Sequence, residues 1–272
     1  MNLFYRKLGA GDPLIILHGL FGSSDNWYTT GKALSEHFAV YLVDQRNHGN
    51  SPHHPVHTYE ALADDLNGFM TGNRMEQAFF LGHSMGGKAA MAFGLKYPHK
   101  VKKMIVVDIS PFAYDVKSLS GRYSHKNILQ ALQSIDLMKV KDRASAFEHL
   151  GSAIHSTAIR QFLLKNLKRT ENGFRWSLNL ESLNNNLEEI YDAVWDVEQE
   201  VHSTIPVFPL LFIKGAKSDC IRDLDEMAIR KHFPRAVIRV IENAGHWVHA
   251  DKPDQLLTIV ESFLINPITT QV

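Results

Sequence analysis

The chain has 272 residues, 44% of them hydrophobic and 21% charged, an ordinary globular composition with enough apolar material for a sizeable core. Lys+Arg and Asp+Glu both total 29, so no net charge attracts nucleic acid or an anionic membrane. The single cysteine, Cys220, excludes an internal disulfide, and neither a signal peptide nor a membrane span of roughly 18 apolar residues is evident, so we expect a cytoplasmic protein.

The first part of the chain alternates short apolar runs with helix-length segments. After a strand expected near residues 1–6, the runs at 14–17, 40–43, 78–81 and 104–107 are apolar on both faces. Such runs are typical of strands buried between helix layers in a parallel sheet. The segments 26–37, 59–72 and 85–97 are each long enough for a helical crossover between parallel strands.

Residues 111–205, here called the cap segment, contain no run that resembles a buried strand. Helix formers dominate it, and we predict helices at 128–133, 143–149, 158–167 and 187–194. The alternation then resumes, with strands at 210–213 and 237–241 and helices near 224–232 and 253–264. The pattern predicts an α/β fold with a mostly parallel central sheet flanked by helices. Its core domain would comprise residues 1–110 and 206–272, with 111–205 as a helical cap inserted after the fourth buried strand.

The strongest motif is a G-x-S-x-G sequence, Gly82-His83-Ser84-Met85-Gly86, which directly follows the run 78–81 and directly precedes a helix-length segment. This context is the condition for a nucleophile elbow, a strained strand-to-helix turn that presents a serine hydroxyl. The two outer glycines leave room for the backbone to close tightly. The motif therefore predicts Ser84 as a nucleophile.

His246 is the candidate base, which a serine hydroxyl needs at neutral pH. Of the 15 histidines it fits best, because its turn lies between the last strand and the last helix, at the sheet edge where α/β sheets bind ligands. His53, His54 and His57 have no cysteine or carboxylate cluster beside them, so we expect a solvated loop rather than a metal site. His83 is expected to pack or hydrogen-bond inside the elbow.

An oxyanion hole requires two donors near the nucleophile. One is expected to be the Met85 N–H, which follows Ser84. The other should come from the glycine-containing loop after the first buried strand, residues 18–22, where Leu20 N–H is the candidate.

Several motifs together resemble the α/β-hydrolases in order and spacing: LHG at 17–19, DQRNHGNS at 44–51, GHSMGG at 82–87 and GH at 245–246. The resemblance runs essentially end to end. RNHG at 46–49, VDISP at 107–111 and NAGHW at 243–247 are most similar to the small bacterial esterases of the YbfF group. This resemblance implies ester and thioester hydrolysis, a helical cap over the site and no cofactor. It also implies that Asp44 and Arg46 hold their loop together rather than take part in the chemistry.

Two aspartates compete to be the acid that orients His246. In α/β-hydrolases the acid usually lies three residues past a glycine after the cap, and counting from Gly215 that place holds Ser218, with Asp219 one residue late. Asp219 can equally be a solvated turn residue or a helix cap. Asp108 ends the run 104–107, where burying a lone carboxylate would be costly. We favour Asp108, with Ser218 giving a second hydrogen bond to the imidazole, and keep Asp219 as the alternative.

The predicted reaction is acyl transfer to Ser84 followed by hydrolysis, on a small-molecule ester or thioester. Phe21, Tyr114 and Trp247 are expected to form part of an apolar wall of the substrate site. Arg122, Lys126 and Arg160 of the cap segment either meet the phosphate of an acyl-CoA or, as we favour, form a solvated face. We expect no cofactor, no metal, and no nucleic-acid or membrane partner; the oligomeric state is open.

Other functions remain compatible with parts of the pattern. Carbon–carbon bond hydrolases share the fold and the serine elbow, so they are the main alternative. A non-catalytic binding protein is disfavoured by the intact Ser84 and His246. Epoxide and haloalkane hydrolases carry an aspartate in the elbow, and Ser84 argues against them.

Overall fold

The computed structural model describes residues 1–114, 125–194 and 208–266. Its strands are β1 Tyr5–Leu8, β2 Pro13–Leu17, β3 Ala39–Val43, β4 Ala78–His83, β5 Val101–Val107, β6 Leu167–Thr170, β7 Gly173–Trp176, β8 Leu210–Gly215 and β9 Val237–Ile241. Seven of them form one sheet in the order β1-β3-β2-β4-β5-β8-β9. Only the β1–β3 pair in it is antiparallel. The six apolar runs predicted as strands at 14–17, 40–43, 78–81, 104–107, 210–213 and 237–241 all lie in these strands, so the predicted α/β fold is confirmed.

Within the same ranges the helices are α1 Tyr28–Leu34, α2 Tyr59–Gly72, α3 Met85–Lys96, α4 His125–Gln133, α5 Arg143–Gly151, α6 Thr157–Leu164, α7 Leu180–Asn185, α8 Leu187–Tyr191, α9 Asp223–His232, α10 Val248–Asp251 and α11 Pro253–Ile265. The helix predicted at 26–37 is shorter in the structure: a 3₁₀ turn occupies Ser24–Trp27, and α1 spans only Tyr28–Leu34. None of these helices combines the length and apolar character that a membrane span requires. The cytoplasmic location stays a prediction.

Each face of the sheet packs against its own helices. Along β4, Phe80 lies in a core cluster with Phe93 of α3, and their ring centroids are 4.9 Å apart. The next residue, Leu81, lies in the opposite cluster with Leu256 of α11. Because both faces are buried there, the inner strands β2, β3, β4, β5 and β8 have apolar sequences, and this is why they were predictable.

The pairing of β4 with β5 brings two important strand ends to the same level. His83 is opposite Val107, so Ser84 and Asp108 follow from adjacent strands. On the other side of β5, Val107 pairs with Ile213 of β8. The carboxyl ends of these parallel strands therefore meet at one edge of the sheet, where ligands bind in open α/β sheets.

The cap segment differs from the prediction, because a β-hairpin lies among its helices. β6 and β7 pair antiparallel, with Thr170 opposite Gly173. Of their eight residues only Leu167 is buried, so the hairpin lacks the continuous apolar run of a buried strand. The predicted helix 158–167 is accordingly wrong at its end, since α6 ends at Leu164. The division into a core and a 111–205 cap stays a prediction, and its second boundary lies outside the described residues.

A buried lysine of α3 joins the sheet layer to two described parts of the cap segment, near residue 112 and at residues 191–192. The Lys88 side chain is fully buried, and its Nζ donates to the carbonyl oxygens of Phe112 at 3.0 Å, Tyr191 at 3.3 Å and Asp192 at 2.5 Å. The same two parts of the cap segment are also bonded directly, since the Tyr114 N–H donates to the Tyr191 carbonyl oxygen at 3.0 Å. Lys88 therefore fixes how the cap segment sits on the sheet.

Candidate active site

Ser84 occupies a strained turn between β4 and α3. Its φ of 52° lies in the left-handed region, which costs a non-glycine residue about 1–3 kcal/mol. The turn closes only because its neighbours lack side chains: a Cβ on Gly82 would lie 2.3 Å from the Gly86 carbonyl oxygen, and one on Gly86 would lie 2.5 Å from the Leu17 carbonyl oxygen. The geometry is that of a nucleophile elbow.

His246 lies in the loop between β9 and α10 and faces Ser84. Its Nε2 is 3.0 Å from Ser84 Oγ, and its Nδ1 is 2.8 Å from Asp108 Oδ2. In the neutral ring, a proton on Nδ1 is donated to the carboxylate, and Nε2 is left to accept the serine proton. His83 holds the main chain of this loop, because its Nε2 donates to the His246 carbonyl oxygen at 2.8 Å.

Asp108 directly follows β5, with a φ of 53° and a fully buried side chain. Its Oδ1 accepts a hydrogen bond from the Gly215 N–H at 2.9 Å. Its Oδ2 accepts from the Ser218 hydroxyl and faces His246 Nδ1. These partners offset the cost of removing the carboxylate from water.

Ser218 is found beside the pair, but with a different partner from the one expected. Its hydroxyl donates to Asp108 Oδ2 rather than to the imidazole, so the expected second bond to His246 is wrong. The reason is geometric: the turn after β8 points Ser218 at the carboxylate that ends β5. Asp219, the alternative acid, is exposed on the same turn. The structure thus brings Asp108, and not Asp219, to the ring.

The charges around His246 act on its pKa in opposite directions. Burial lowers the pKa of the ring, whereas the neighbouring Cys220 and the hydrogen-bonded Asp108 carboxylate raise it, and the net direction is upward. The nearby carboxylate therefore stabilises an imidazolium at this position. Burial lowers the pKa of two other histidines at the site, His125 and His249, to about 4. Both are neutral near pH 7.

Two candidate oxyanion donors border Ser84. Met85 is the first residue of α3, where a helix leaves its backbone N–H groups without helical partners. Leu20 lies in a turn that packs against Ser84, since a Cβ on neighbouring Gly19 would lie 3.2 Å from Ser84 Cβ. The next amide along, that of Phe21, already donates to His48 Nε2 at 3.3 Å. The roles of Leu20 and Met85 stay predictions.

A cavity of about 450 Å³ opens beside Ser84 and His246. Its apolar wall comes from the turn after β2, the loop after β9, and helices α4 and α6 of the cap segment: Leu20, Phe21, Ile128, Ile159, Phe162, Leu163 and Trp247. Phe21 and Trp247 are thus placed as expected. Tyr114 is not, because its hydroxyl donates to the Cys220 carbonyl at 2.5 Å and accepts from the Ser110 N–H at 2.9 Å.

The sequence did not predict which residues of the cap segment line the cavity. Phe162 and Leu163 belong to the apolar face of α6, and Ile128 to that of α4. Helical spacing of apolar residues is the signal that indicates such a face. It does not say whether the face meets the core or a cavity.

Comparison with known proteins identifies the family. A model of the alpha/beta hydrolase fold matches residues 12–253. The chain belongs to this family. It is 37% identical over 257 residues to the Mus musculus protein named sn-1-specific diacylglycerol lipase ABHD11, covering 92% of this chain and 80% of that one. It is 33% identical to Esterase YbfF of Escherichia coli (strain K12), covering 93% and 92%. A solved structure described as a marine microorganism esterase matches with a TM-score of 0.91 at 43% identity, covering 96% and 99%. This alpha/beta hydrolase is therefore an enzyme that acts on ester bonds.

The 44–51 loop of the hydrolase is held by the two residues to which the resemblance assigned that role. Asp44 accepts hydrogen bonds from the Ser24 N–H at 2.6 Å and the Asn50 N–H at 2.8 Å. Arg46 Nε lies 2.6 Å from Asp65 Oδ2, in a buried ion pair. Both charges are satisfied within the loop and its supports, away from Ser84 and His246.

One histidine of the hydrolase is placed differently from the prediction. His57 is buried rather than solvated, and its Nδ1 lies 3.2 Å from the amide nitrogen of Asn47. Burial lowers the pKa of His57 to about 3. Asn47 also reaches the cap segment, since its amide donates to Ser182 Oγ at 3.1 Å. Sequence spacing did not reveal this contact between residues 135 positions apart.

The cap-segment cations of the hydrolase do not line the cavity where they are described. Arg160 donates to the Phe147 carbonyl at 3.1 Å, and its guanidinium lies 3.8 Å from the centre of the Phe147 ring. Lys126 is exposed on α4. Arg122 lies outside the described residues.

Proposed function

We propose that this hydrolase cleaves carboxylic esters of apolar acids through an acyl-enzyme on Ser84. His246 is the general base and Asp108 the acid that orients it. The observation that carries the proposal is the continuous chain from Ser84 Oγ to His246 Nε2 at 3.0 Å and from His246 Nδ1 to Asp108 Oδ2 at 2.8 Å, beside an apolar cavity.

Acylation begins when Ser84 Oγ attacks the ester carbonyl and its proton passes to His246 Nε2. The negative charge that develops on the carbonyl oxygen is stabilised by the N–H groups of Leu20 and Met85. Each such donor contributes about 2.7–4 kcal/mol in a comparable site. Collapse of this intermediate breaks the ester C–O bond, and His246 Nε2 returns the proton to the leaving alcohol.

Deacylation repeats the sequence with water. His246 takes a proton from the water, whose oxygen attacks the acyl carbonyl, and the same two N–H groups stabilise the second oxyanion. When the intermediate collapses, Ser84 Oγ leaves and regains its proton from His246. Throughout, Asp108 keeps the Nδ1 proton in place, supported by Ser218 and Gly215.

The cavity supports an apolar acyl group and an uncharged leaving group. Ile159, Phe162 and Leu163 form one wall, and His125 and His249, which also line the cavity, are neutral near pH 7. The relatives named diacylglycerol lipase point to neutral glycerides as one candidate class. Acyl-CoA thioesters have less support, because neither Lys126 nor Arg160 lines the cavity.

The test is a turnover screen of wild type and Ser84→Ala. Substrates are p-nitrophenyl esters of increasing acyl length, diacylglycerols in detergent and the matching acyl-CoA thioesters. We expect a clear chain-length optimum with esters, lower kcat/KM with thioesters, and loss of turnover in Ser84→Ala. A fluorophosphonate probe should label wild type and not the variant.

Turnover that survives in Ser84→Ala would disprove the acyl-enzyme on this residue. Labelling of Ser84 without turnover of any ester would keep the nucleophile but overturn the substrate class, and carbon–carbon bond hydrolysis would then be tested next.

A further inference from the structure

Cys220 lies beside the His246–Asp108 pair, although the mechanism above does not use it. One ligand atom from each of Asp108, Cys220 and His246 lies within 4.8 Å of the others. Asp108 is buried, and the other two are half-buried, so the group can be reached from solvent. Among the described residues, this is the one group of three or more His, Cys, Asp and Glu side chains that is close enough to hold a metal ion.

We propose that these three side chains form an inhibitory Zn²⁺ site, completed by a water molecule. Thiolate, imidazole and carboxylate are the ligands that Zn²⁺ takes in proteins, and three of them plus water is a common set. The inhibition rests on the proposed roles of His246 and Asp108, whereas the binding does not.

The spacing fits a small ion after a limited adjustment. Tetrahedral bonds of about 2.0–2.3 Å place ligand atoms roughly 3.3–3.7 Å apart. His246 Nδ1 and Asp108 Oδ2 are now 2.8 Å apart, and the whole group is within 4.8 Å. Each distance therefore changes by about an ångström or less, in a direction that separates the close pair and draws in the thiol.

Two hydrogen bonds hold the loop that carries Cys220 in place. The Cys220 N–H donates to Ser218 Oγ at 3.2 Å, and its carbonyl accepts from the Tyr114 hydroxyl at 2.5 Å. The Cys220 thiol sulfur lies within 4.8 Å of the ligand atoms of His246 and Asp108. The three ligands come from the ends of β5 and from the loops after β8 and β9, so folding alone brings them together.

Binding of Zn²⁺ would stop catalysis by changing the tautomer of His246. The ion takes the lone pair of Nδ1, so the ring proton moves to Nε2, and the Cys220 thiol releases its proton to solvent on becoming a thiolate ligand. Nε2 then carries a hydrogen and cannot accept the proton of Ser84. Asp108 Oδ2 becomes a ligand to the ion and no longer orients the ring for catalysis.

The first experiment measures p-nitrophenyl ester hydrolysis against buffered free Zn²⁺ for wild type, Cys220→Ser and Cys220→Ala. We expect wild type to be inhibited and fully restored by EDTA. Both variants should keep wild-type activity without the ion and need at least 10-fold more Zn²⁺ for half-inhibition. Equal sensitivity of wild type and both variants would overturn the site.

A second measurement needs no turnover and so separates failure of this site from failure of the proposed function. Co²⁺ is added in place of Zn²⁺, and the thiolate-to-metal charge-transfer absorption is recorded. We expect the band in wild type and in Ser84→Ala, which keeps all three ligands, and its loss in Cys220→Ser. Absence of the band in folded wild type, or its persistence in Cys220→Ser, would overturn the proposal.

Discussion

Ser218 donates a hydrogen bond to the same oxygen of Asp108, Oδ2, that faces His246 Nδ1 at 2.8 Å. The Ser218→Ala substitution removes this hydrogen bond, so the Asp108 carboxylate should be held less firmly while it stays buried. A hydrogen bond to a charged group contributes about 1.5–3 kcal/mol, so we expect kcat to fall about 10-fold or more with little change in KM. Steady-state kinetics on a short p-nitrophenyl ester measure this. An unchanged kcat would mean that Ser218 does not support the proposed triad.

Asp108→Asn should have a much larger effect. The asparagine keeps the size of the side chain but donates to Nδ1, which imposes the wrong tautomer on His246. The serine-protease template loses about 10⁴-fold in kcat for the corresponding change. The matched control is Asp219→Asn, on an exposed residue, which should remain near wild type. If instead Asp219→Asn abolishes turnover and Asp108→Asn does not, the acid has been wrongly assigned.

Lys88 should make stability depend on pH. Burial lowers its pKa from 10.5 to about 7, against the opposing influence of Asp192, Asp225 and Cys220, which raise it. Between these two values the unfolded chain binds more protons than the folded one, so the free energy of unfolding should rise with pH across that window. The change amounts to at most about 4 kcal/mol. Urea unfolding from pH 6 to 10 should show a smaller rise in Lys88→Met than in wild type. Parallel pH curves for the two proteins would contradict the buried charge.

Lys103 provides a matched comparison for the same substitution. Its Nζ caps the end of α11, donating to the carbonyl oxygens of Phe263 at 2.8 Å, Leu264 at 3.0 Å and Asn266 at 2.7 Å. No described residue of α11 lines the cavity. Lys103→Met should lower Tm while leaving kcat/KM unchanged. Lys88→Met should in addition raise KM, because Lys88 anchors the segment that supplies the cavity wall.

Phe162 should limit the length of the acyl group. It lines the cavity from α6, and its ring centroid is 5.5 Å from that of Trp247. Phe162→Ala removes this bulk from a half-buried position, so the chain-length optimum of kcat/KM should move to longer acyl groups. The labelling rate of Ser84 by a small fluorophosphonate serves as the control and should stay within about two-fold, as the triad is untouched. An unchanged optimum would place the acyl group elsewhere.

The inner strands β2, β3, β4, β5 and β8 were predictable because they are buried on both faces and therefore carry their signal locally. The same holds for the turn at Ser84, whose motif depends on neighbours in sequence, while the role of Ser84 stays a prediction. The contact of Asp108 with His246 followed from a further physical argument, the cost of an unpartnered carboxylate at the end of an apolar strand.

The differences arose where the outcome depends on residues distant in sequence. The half-exposed hairpin of β6 and β7 has no apolar run to indicate it. His57 is buried by Asn47 and the cap segment, which its own neighbours do not reveal. The two possible partners of the Ser218 hydroxyl, His246 Nδ1 and Asp108 Oδ2, are only 2.8 Å apart. Which of them it bonds depends on the conformation of the folded turn.

Ser84 and Asp108 each stand one residue beyond the paired residues His83 and Val107. If β5 formed one residue out of step with β4, Asp108 would shift by about 3.3 Å and the side chains of the strand would exchange faces. The proposed nucleophile and acid therefore meet in one alignment of the two strands only. A chain that folded with β4 and β5 misaligned would keep its helical circular-dichroism signal, yet its Ser84 would fail to react with a fluorophosphonate. Labelling of Ser84 thus also counts the molecules whose sheet has assembled correctly.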